Sequence, residues 1–196
     1  MSISQPVIVI AYPEEWGCYA KLSRKLEHIL SKTIRFSVIY PHDKRGFINK
    51  FFSGDARVSS FDTMDNTALE ATHGIVFDDG VSFQKLKIQL GAENIQLRLI
   101  NVEISHIVNI DKQDEFDVYI GRGSGFGNPY AIGIEGDDRD EVIRKFKYDF
   151  DRDYLKDNFK TRLLKHRGKQ FGCHCKPVSC HGDVLVEFLN SYDDGM

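Results

Sequence analysis

The stretch Val7-Ile8-Val9-Ile10-Ala11 is an unbroken apolar run that ends in the turn-forming residues Tyr12-Pro13-Glu14. A continuous run of this length is typical of a strand that is buried on both faces, as in a parallel sheet. Apolar residues at helical spacing follow from Tyr19 to Leu30, with lysine and arginine between them. The chain is therefore predicted to open an α/β fold with a buried strand and an amphipathic helix.

The alternation of strand and helix continues to about residue 104. Further strands are predicted at Phe36–Tyr40, Gly74–Phe77 and Leu97–Ile100, and helices at Phe47–Phe52, Thr67–Thr72 and Phe83–Leu90. This order predicts a Rossmann-like, mainly parallel sheet with helices on both faces. We assign residues 1–106 to this nucleotide-binding region.

Residues 107–196 are predicted to form a second, smaller α/β domain. Its predicted elements are a join at Ile107–Asp114, a strand at Asp117–Ile120, a helix opened by the capping pair Asp138 and Glu141, a helix from Leu155 to Leu163 ended by Gly168, a strand at Gln170–Cys175, and a last helix that starts at Gly182 or Asp183. The chemistry-bearing residues are concentrated in this half.

Composition limits the classes of function. The 196 residues carry a formal net charge of -3, which gives no general electrostatic attraction to nucleic acid. A local basic stretch around Lys160 leaves nucleic acid open as a partner. No apolar run approaches the roughly 20 residues that a membrane helix needs, and the N-terminus does not resemble a signal peptide. We therefore expect a cytoplasmic protein with reduced thiols and no membrane partner.

Four glycines at alternate positions, Gly121 to Gly127, follow the predicted strand of the second domain. Such a loop can bring backbone N–H groups close to a phosphate, and Arg122 can add a bidentate contact. The ligand-binding residues predicted here are Gly121, Arg122, Gly123, Ser124 and Asn128. The alternative is a turn in which the glycines only relieve backbone strain.

Three of the four cysteines lie in Cys173-His174-Cys175-Lys176-Pro177-Val178-Ser179-Cys180-His181-Gly182-Asp183. In one hypothesis Cys180 or Cys173 is a nucleophile, with its pKa lowered by His181 or by a helix N-terminus. The predicted catalytic residues are then Cys180, His181 and Asp183, with Asp183 as base or as the group that orients His181.

The same stretch permits two other interpretations. Zinc would be bound by Cys173, Cys175, Cys180 and His181, which are four soft or borderline ligands. Otherwise the stretch is a structural turn with buried thiols, in which Asp183 caps the last helix.

Two residues of the first domain are also candidates. Asp78 follows a predicted parallel strand, at the sheet edge where ligands bind in open α/β folds, and its alternative role is a solvated turn. Trp16 follows the first strand and is predicted to stack on a base, with a core position as the alternative.

The blocks Tyr119–Ser124, Gly127–Pro129, Gly172–Pro177 and Cys180–Leu185 resemble an uncharacterised domain of phage and bacterial genomes. Its pattern is close to YIGRGSxxGNPF, a helical spacer, and GCWCKPxxCHGDVL. The resemblance covers about residues 117–190, and the family has Trp where this chain has His174. It implies a phage setting and, in that case, location in the host cytoplasm.

The first half, about residues 5–104, more faintly resembles SLOG-type Rossmann-like domains. The likeness lies in the opening strand followed by Tyr12-Pro13-Glu14-Glu15-Trp16, and in the block from Asn66 to Gly80. Such domains include nucleotide-binding proteins and phosphoribohydrolases, so the resemblance implies a nucleotide ligand.

Together these features favour an enzyme, a hydrolase or a glycosyl or ribosyl transferase, acting on an N-glycosidic bond of a nucleotide, nucleoside or nucleotide-sugar. The phage setting implies DNA-base modification or counter-defence. Two alternatives stay open: a non-catalytic module that binds a nucleotide signal or a partner protein, and a zinc-stabilised structural protein. Homo-oligomerisation is left open, and no cofactor besides zinc is indicated.

Overall fold

The computed structural model describes residues 5–64, 71–112 and 115–196. The chain divides into two compact units. The first unit comprises Met1–Val102 together with Asp193–Met196, and the second comprises Glu103–Tyr192. The boundary predicted between residues 106 and 107 lies shortly after this division. The last four residues belong to the first unit, where Lys21 binds Asp194 and Arg24 binds Asp193.

The first unit contains a parallel sheet flanked by helices, as predicted from the sequence, with five strands where four were predicted. Its elements are β1 (Val7–Ala11), α1 (Tyr19–Leu30), β2 (Phe36–Tyr40), α2 (Phe47–Phe52), β3 (Val58–Thr63), β4 (His73–Asp78), α3 (Gln84–Ala92) and β5 (Gln96–Asn101). The strand order is β3-β2-β1-β4-β5, and every pairing is parallel. The α/β, Rossmann-like fold class is thereby confirmed.

The central strand β1 is buried on both faces, which explains its unbroken apolar run. Val9 and Ala11 pack in one cluster with Leu90 of α3. Ile8 and Ile10 face the other side because side chains alternate along a strand, and they are equally buried. Both faces of the sheet are therefore covered at β1, as expected for a sheet with helices on both sides.

The strand β3 was not predicted. Its sequence, Val58-Ser59-Ser60-Phe61-Asp62-Thr63, is largely polar, and no residue in it is fully buried. It lies at the edge of the sheet, where it pairs with β2 alone. Edge strands have one unpaired side, so the hydrophobic signal that marks central strands is weak here. The predicted helix at Thr67–Thr72 falls mostly outside the described residues.

The second unit is built around a three-stranded parallel sheet with the order β6-β8-β7. Its elements are β6 (His106–Asn109), β7 (Val118–Tyr119), a 3-10 turn (Ile134–Gly136), α4 (Arg139–Asp151), α5 (Phe159–Leu164), β8 (Gln170–Cys173) and α6 (His181–Ser191). The prediction of a plain join from Ile107 to Asp114 is wrong at its start, because β6 pairs with β8 in register Asn109 to Cys173.

Two helix starts in the second unit differ from the predicted ones. The helix expected from Leu155 begins at Phe159, since Asp157 and Asn158 both have left-handed backbone angles that an α-helix does not tolerate. The last helix begins at His181, one residue before the predicted Gly182, because Cys180 is its N-cap. The start of α4 is as predicted, with the Asp138 carboxylate accepting from the Glu141 N–H at 2.9 Å.

The core of the second unit is aromatic and includes two thiols. Phe146, Phe150 and Phe159 pack with the buried side chains of Cys173 and Cys180. Phe146 is completely buried and stacks on Phe150 with their ring centroids 6.1 Å apart. The cysteines of the predicted site are therefore also part of the core. None of the helices in the described ranges is both long and apolar enough for a membrane span.

Candidate functional site

A cavity of about 280 Å³ lies within the second unit, between the glycine loop and the cysteine stretch. Its lining residues are Tyr119, Gly121, Arg122, Asn128, Tyr130, Ile132, Arg139, Val142, Ile143, Cys173, His174, Cys175, Cys180 and His181. The two motif blocks that are separated by a helical spacer in the sequence thus border one cavity. Its volume is near the lower end of the roughly 300–1,000 Å³ that small-molecule pockets span.

The glycine loop is a pair of successive turns. The Ser124 N–H donates to the Gly121 carbonyl at 3.1 Å, and the Gly127 N–H donates to the Ser124 carbonyl at 3.2 Å. A Cβ at position 121 would come within 2.0 Å of the Tyr119 hydroxyl. A side chain at 121 would therefore displace the Tyr119 ring, which is a structural reason for glycine beside any ligand. Gly123 and Ser124 do not line the cavity.

Two side chains fix the loop to the rest of the unit. The Asn128 amide donates to the Val142 carbonyl at 3.1 Å and accepts from the Tyr130 N–H at 2.9 Å. The Arg162 guanidinium donates to the Gly125 carbonyl at 2.6 Å. The loop is thus held at both ends. Asn128 lines the cavity with both ends of its amide already bonded.

Two arginines supply positive charge to the cavity. Arg122 is exposed and has no ion pair with any residue in the described ranges. Arg139, which the sequence did not single out, donates to the Ser179 carbonyl at 3.2 Å. It occupies the first position of α4, where the helix dipole disfavours a cation. Two guanidinium groups at one cavity favour an anionic ligand.

The three thiols of the cysteine stretch lie together at the cavity wall. The Sγ atoms of Cys173, Cys175 and Cys180 are all within 4.8 Å of one another, and those of Cys173 and Cys180 are 3.9 Å apart. Cys173 and Cys180 are buried, and Cys175 is half-buried. The three sulfur atoms could bind a metal ion.

The thiol of Cys180 does not have the lowered pKa that a nucleophile needs. Burial and the neighbouring Cys173 raise the pKa of Cys180 to about 12, although a backbone N–H at Gly182 opposes this shift. The Gly182 N–H in the first turn of α6 lowers the pKa, but desolvation is the larger effect, so the pKa of this thiol is raised and not lowered as the nucleophile hypothesis expects. Without a bound cation, Cys180 is a neutral thiol at neutral pH.

The imidazole of His181 is turned away from the thiols. Its Nε2 lies 3.2 Å from the Phe126 carbonyl, and its ring packs edge-on against Phe146. Burial lowers the pKa of His181, and hydrogen bonds to the backbone of Phe126 and Ile120 act in the opposite direction. In the described part of the chain, His181 does not join the cysteine group that could hold a metal.

The carboxylate of Asp183 caps α6. It accepts from the Cys180 N–H at 2.9 Å, and the Asp183 N–H in turn bonds the Cys180 side chain, which completes a capping box. Its other oxygen binds the Lys176 ammonium. Asp183 does not line the cavity. These contacts fit the structural alternative given above, in which Asp183 caps the last helix.

A histidine–aspartate pair at the cavity was not predicted. The Nδ1 atom of His174 is 2.9 Å from the Asp111 carboxylate, and the Tyr119 ring packs edge-on against the imidazole. A carboxylate at Nδ1 fixes the ring and leaves Nε2 as the nitrogen that exchanges protons. Asp111 lies in the segment predicted as a join, so sequence spacing gave no signal for this pair.

The two candidates of the first unit have local partners. Trp16 is 3% exposed and stacks on Phe77 at a centroid distance of 4.8 Å. Asp78 forms an ion pair with Lys87 at 2.7 Å and accepts from the Gly80 N–H. Their ligand-binding roles stay predictions.

Two family models match the chain. Residues 5–108 match the minimal SLOG domain, a family associated with nucleotide-related functions. Residues 104–191 match a domain of unknown function, DUF4326. These ranges contain the two stretches, 5–104 and 117–190, in which the sequence resembled known families. The individual motif blocks stay predictions.

A phage protein is similar to part of the chain. Over 88 residues the chain is 39% identical to an uncharacterised 12.4 kDa protein encoded in the nrdA-td intergenic region of Enterobacteria phage T4. The aligned part is 44% of this chain and 79% of the phage protein. No solved structure gave a significant match.

Proposed function

We propose that this chain, which belongs to the minimal SLOG domain family, binds and processes a nucleotide or nucleotide-sugar in the cavity of its second unit. The reaction class is hydrolysis or transfer at an N-glycosidic bond. A relative is encoded by a phage, and in a phage such a reaction would serve DNA-base modification or counter-defence. The SLOG family, whose model matches residues 5–108, is associated with nucleotide-related functions, which supports a nucleotide as the ligand class of the chain; the support for the cavity itself comes from its wall.

The observation that carries the proposal is the composition of the cavity wall. Arg122 and Arg139 provide two cations, while Ile132, Val142 and Ile143 provide an apolar surface. A ligand that fits both has an anionic group and a flat or apolar group, as a nucleotide does. The guanidiniums would bind the phosphate, and the apolar side would receive the base or sugar.

The acid–base group that suits this site best is His174. In N-glycosidic hydrolysis, water attacks the anomeric carbon as its bond to the base nitrogen breaks. His174 would accept a proton from the water through Nε2, with Asp111 holding Nδ1 at 2.9 Å, and would pass it on to the departing base nitrogen, which restores the neutral histidine. Cys180 and His181 would then line the ligand, and Asp183 would position Cys180.

A screen of nucleotides and nucleotide-sugars by thermal shift, followed by mass spectrometry of each hit, tests the proposal. A ligand of the native state must raise the melting temperature, and processing must change the ligand's mass. Arg122→Ala and Arg139→Ala should each weaken binding at least tenfold. Arg144→Ala is the matched control, since Arg144 lies on the same helix as Arg139 and pairs with Glu141 outside the cavity. A flat screen with folded protein would reject the proposal.

A non-catalytic binding module is the second candidate. The observation in its favour is that Cys180, His181 and Asp183 all have structural partners. In that case a nucleotide would bind and be recovered unchanged, and His174→Gln would leave its affinity within about twofold. Turnover of any hit by the wild-type protein would exclude this candidate.

A zinc-stabilised structural protein is the third candidate, and the three clustered sulfur atoms favour it. Of the four predicted zinc ligands, His181 is bonded elsewhere. If zinc served the fold alone, removing it with a chelator would unfold the second unit. A chelated protein that keeps its circular dichroism spectrum would exclude this candidate.

A further inference from the structure

We infer that Cys173, Cys175 and Cys180 bind one soft or borderline metal ion, of the zinc class, through three thiolates. The fourth coordination position of this ion would face the cavity and accept an exchangeable ligand. The metal site stands on the geometry of the thiols alone. The inference that a substrate group enters the fourth position rests on the proposed function.

The sulfur positions suit a tetrahedral ion. Zinc lies about 2.3 Å from a thiolate sulfur, so two sulfur atoms of a tetrahedral site are about 3.8 Å apart. The Sγ atoms of Cys173 and Cys180 are 3.9 Å apart, and Cys175 Sγ lies within 4.8 Å of both. A shift of about 1 Å in the half-buried Cys175 side chain would complete the triangle.

Three different elements hold these sulfur atoms in place. Cys173 ends β8, where it pairs with Asn109 of β6, and Cys180 is the N-cap of α6. The Asp183 N–H bonds the Cys180 side chain at the start of this eleven-residue helix. Cys175 lies in the connecting turn, closed by the Val178 N–H on its carbonyl at 3.0 Å. The three sulfur atoms are therefore placed by the strand, the turn and the helix N-cap of the second unit.

A fourth protein ligand is absent from the described part of the chain, which leaves out residues 1–4, 65–70 and 113–114. His181 bonds the Phe126 carbonyl, and His174 presents its Nδ1 to Asp111. All three cysteines line the cavity, so the open side of the triangle is the cavity side. Sites with three protein ligands and one open position are those in which zinc binds water or substrate.

The charges around the cavity also favour an anionic ligand at the metal ion. Three thiolates and a divalent ion leave a net charge of about -1 at the site. Arg122 and Arg139 line the same cavity and can offset both this charge and that of an incoming phosphate or carboxylate. Metal and arginines would then act on one ligand from two sides.

Metal content of the full chain, purified without chelator, tests the site. We expect about one equivalent of zinc by elemental analysis, and thiolate-to-metal charge-transfer absorption when cobalt replaces it. Cys175→Ser should lower metal retention at least tenfold while keeping the circular dichroism spectrum, since Cys175 is half-buried. Cys18→Ala, which removes the remaining cysteine, should retain the metal. Folded wild-type protein that takes up neither zinc nor cobalt would overturn the inference.

Titration of the cobalt form with imidazole tests the open position. An exchangeable fourth site should change the cobalt ligand-field bands with a saturable dependence on imidazole. Unchanged bands at saturating imidazole would show a closed site and overturn the open-position claim. The nucleotide screen is a separate test. If metal-free protein binds a nucleotide, the proposed function stands, and the inference that the ligand enters the fourth coordination position of the metal is refuted.

Discussion

The two units of the chain place their polar groups differently in relation to their cores. In the first unit the core is a five-stranded sheet of apolar side chains, and the polar groups at its edge bind one another, as Asp78 binds Lys87. In the second unit Cys173 and Cys180 belong both to the aromatic core and to the cavity wall. In the second unit, then, the same side chains contribute to the core and to the wall of the cavity.

This difference follows from what the core of the second unit is made of. Its sheet has only three short strands, and the core packed on it includes the thiols of Cys173 and Cys180 beside aromatic rings. Residues that form the cavity are then also needed for packing. Substitutions of buried side chains at the cavity should therefore change both the stability of the second unit and the ligand binding proposed for it.

The largest expected effect is that of Phe146→Ala. Phe146 is fully buried between Phe150, Phe159 and His181, so its removal should cost about 3–5 kcal/mol of unfolding free energy. It should also abolish ligand binding at the cavity, because His181 lines that cavity and loses its packing partner. Urea unfolding followed by circular dichroism measures the first effect, and ligand thermal shift measures the second.

The matched substitution in the first unit is Leu26→Ala, at a fully buried position of α1. It should cost about 2–5 kcal/mol and leave ligand affinity unchanged in the folded protein. The single tryptophan, Trp16, is buried in the first unit and reports its unfolding by fluorescence. Leu26→Ala should shift this fluorescence transition to lower urea, and Phe146→Ala should not. Equal loss of binding in both variants would break the comparison.

The next prediction concerns residues 193–196, which belong to the first unit. Lys21 and Asp194 form an ion pair at 2.8 Å with side chains only 8% and 10% exposed. Asp194→Asn should destabilise the first unit by about 2–3 kcal/mol, because it leaves a buried ammonium without its charge partner. Trp16 fluorescence during urea unfolding is the measurement.

Asp193→Asn is the control for that experiment. Its pair with Arg24 is more than a third exposed on both sides, so solvent screens the interaction. The expected shift is much smaller than that of Asp194→Asn. Equal shifts would mean that the burial of the Lys21–Asp194 pair does not decide its contribution.

A smaller effect is expected from Gly182→Ala in α6. A Cβ there would lie 2.7 Å from Ile120 Cδ1 and 3.2 Å from Cys180 Sγ, so the substitution should cost about 1–3 kcal/mol and displace the thiol. The control is Gly91→Ala in α3 of the first unit, where a Cβ meets no atom within 4 Å. The control should be neutral or stabilising by up to about 1 kcal/mol. Destabilisation by both variants would point to helix backbone effects instead of core packing.

The smallest effect is that of Asp138→Ala at the N-cap of α4. Loss of the bond to the Glu141 N–H should cost about 1 kcal/mol. Because α4 carries Arg139 at its first position, fraying of this turn should also weaken ligand binding. Asp138→Asn should restore most of both, since asparagine caps nearly as well. If Asp138→Ala weakened ligand binding without lowering the free energy of unfolding, fraying of the first turn of α4 would not be the cause of the weaker binding.

Hydrophobic periodicity predicted β1 and α1 correctly, because the pattern of apolar residues in an element reflects which of its faces are buried. The continuous run of β1 and the spaced stripe of α1 report their two-sided and one-sided burial directly. The polar edge strand β3 and the four-residue β6 lack that signal. Their pairing depends on neighbours that are distant in sequence.

The site was predictable where its groups are close in sequence. The thiols of Cys173, Cys175 and Cys180 were expected together and lie together. The partners of the neighbouring groups could not be predicted, because Phe126 binds His181 across 55 positions of the chain and Asp111 binds His174 across 63. Short spacing indicates which groups are near, whereas tertiary contacts decide whether each is available for chemistry.

The return of residues 193–196 to the first unit has a consequence for synthesis on the ribosome. The strands of the first unit are translated first, yet Asp194 reaches Lys21 only after all of Glu103–Tyr192 has been translated. The Lys21 ammonium therefore lacks Asp194 as its partner during the time in which the second unit is translated. A change at Asp194, which is translated after the whole second unit, would therefore affect the unit that is translated first.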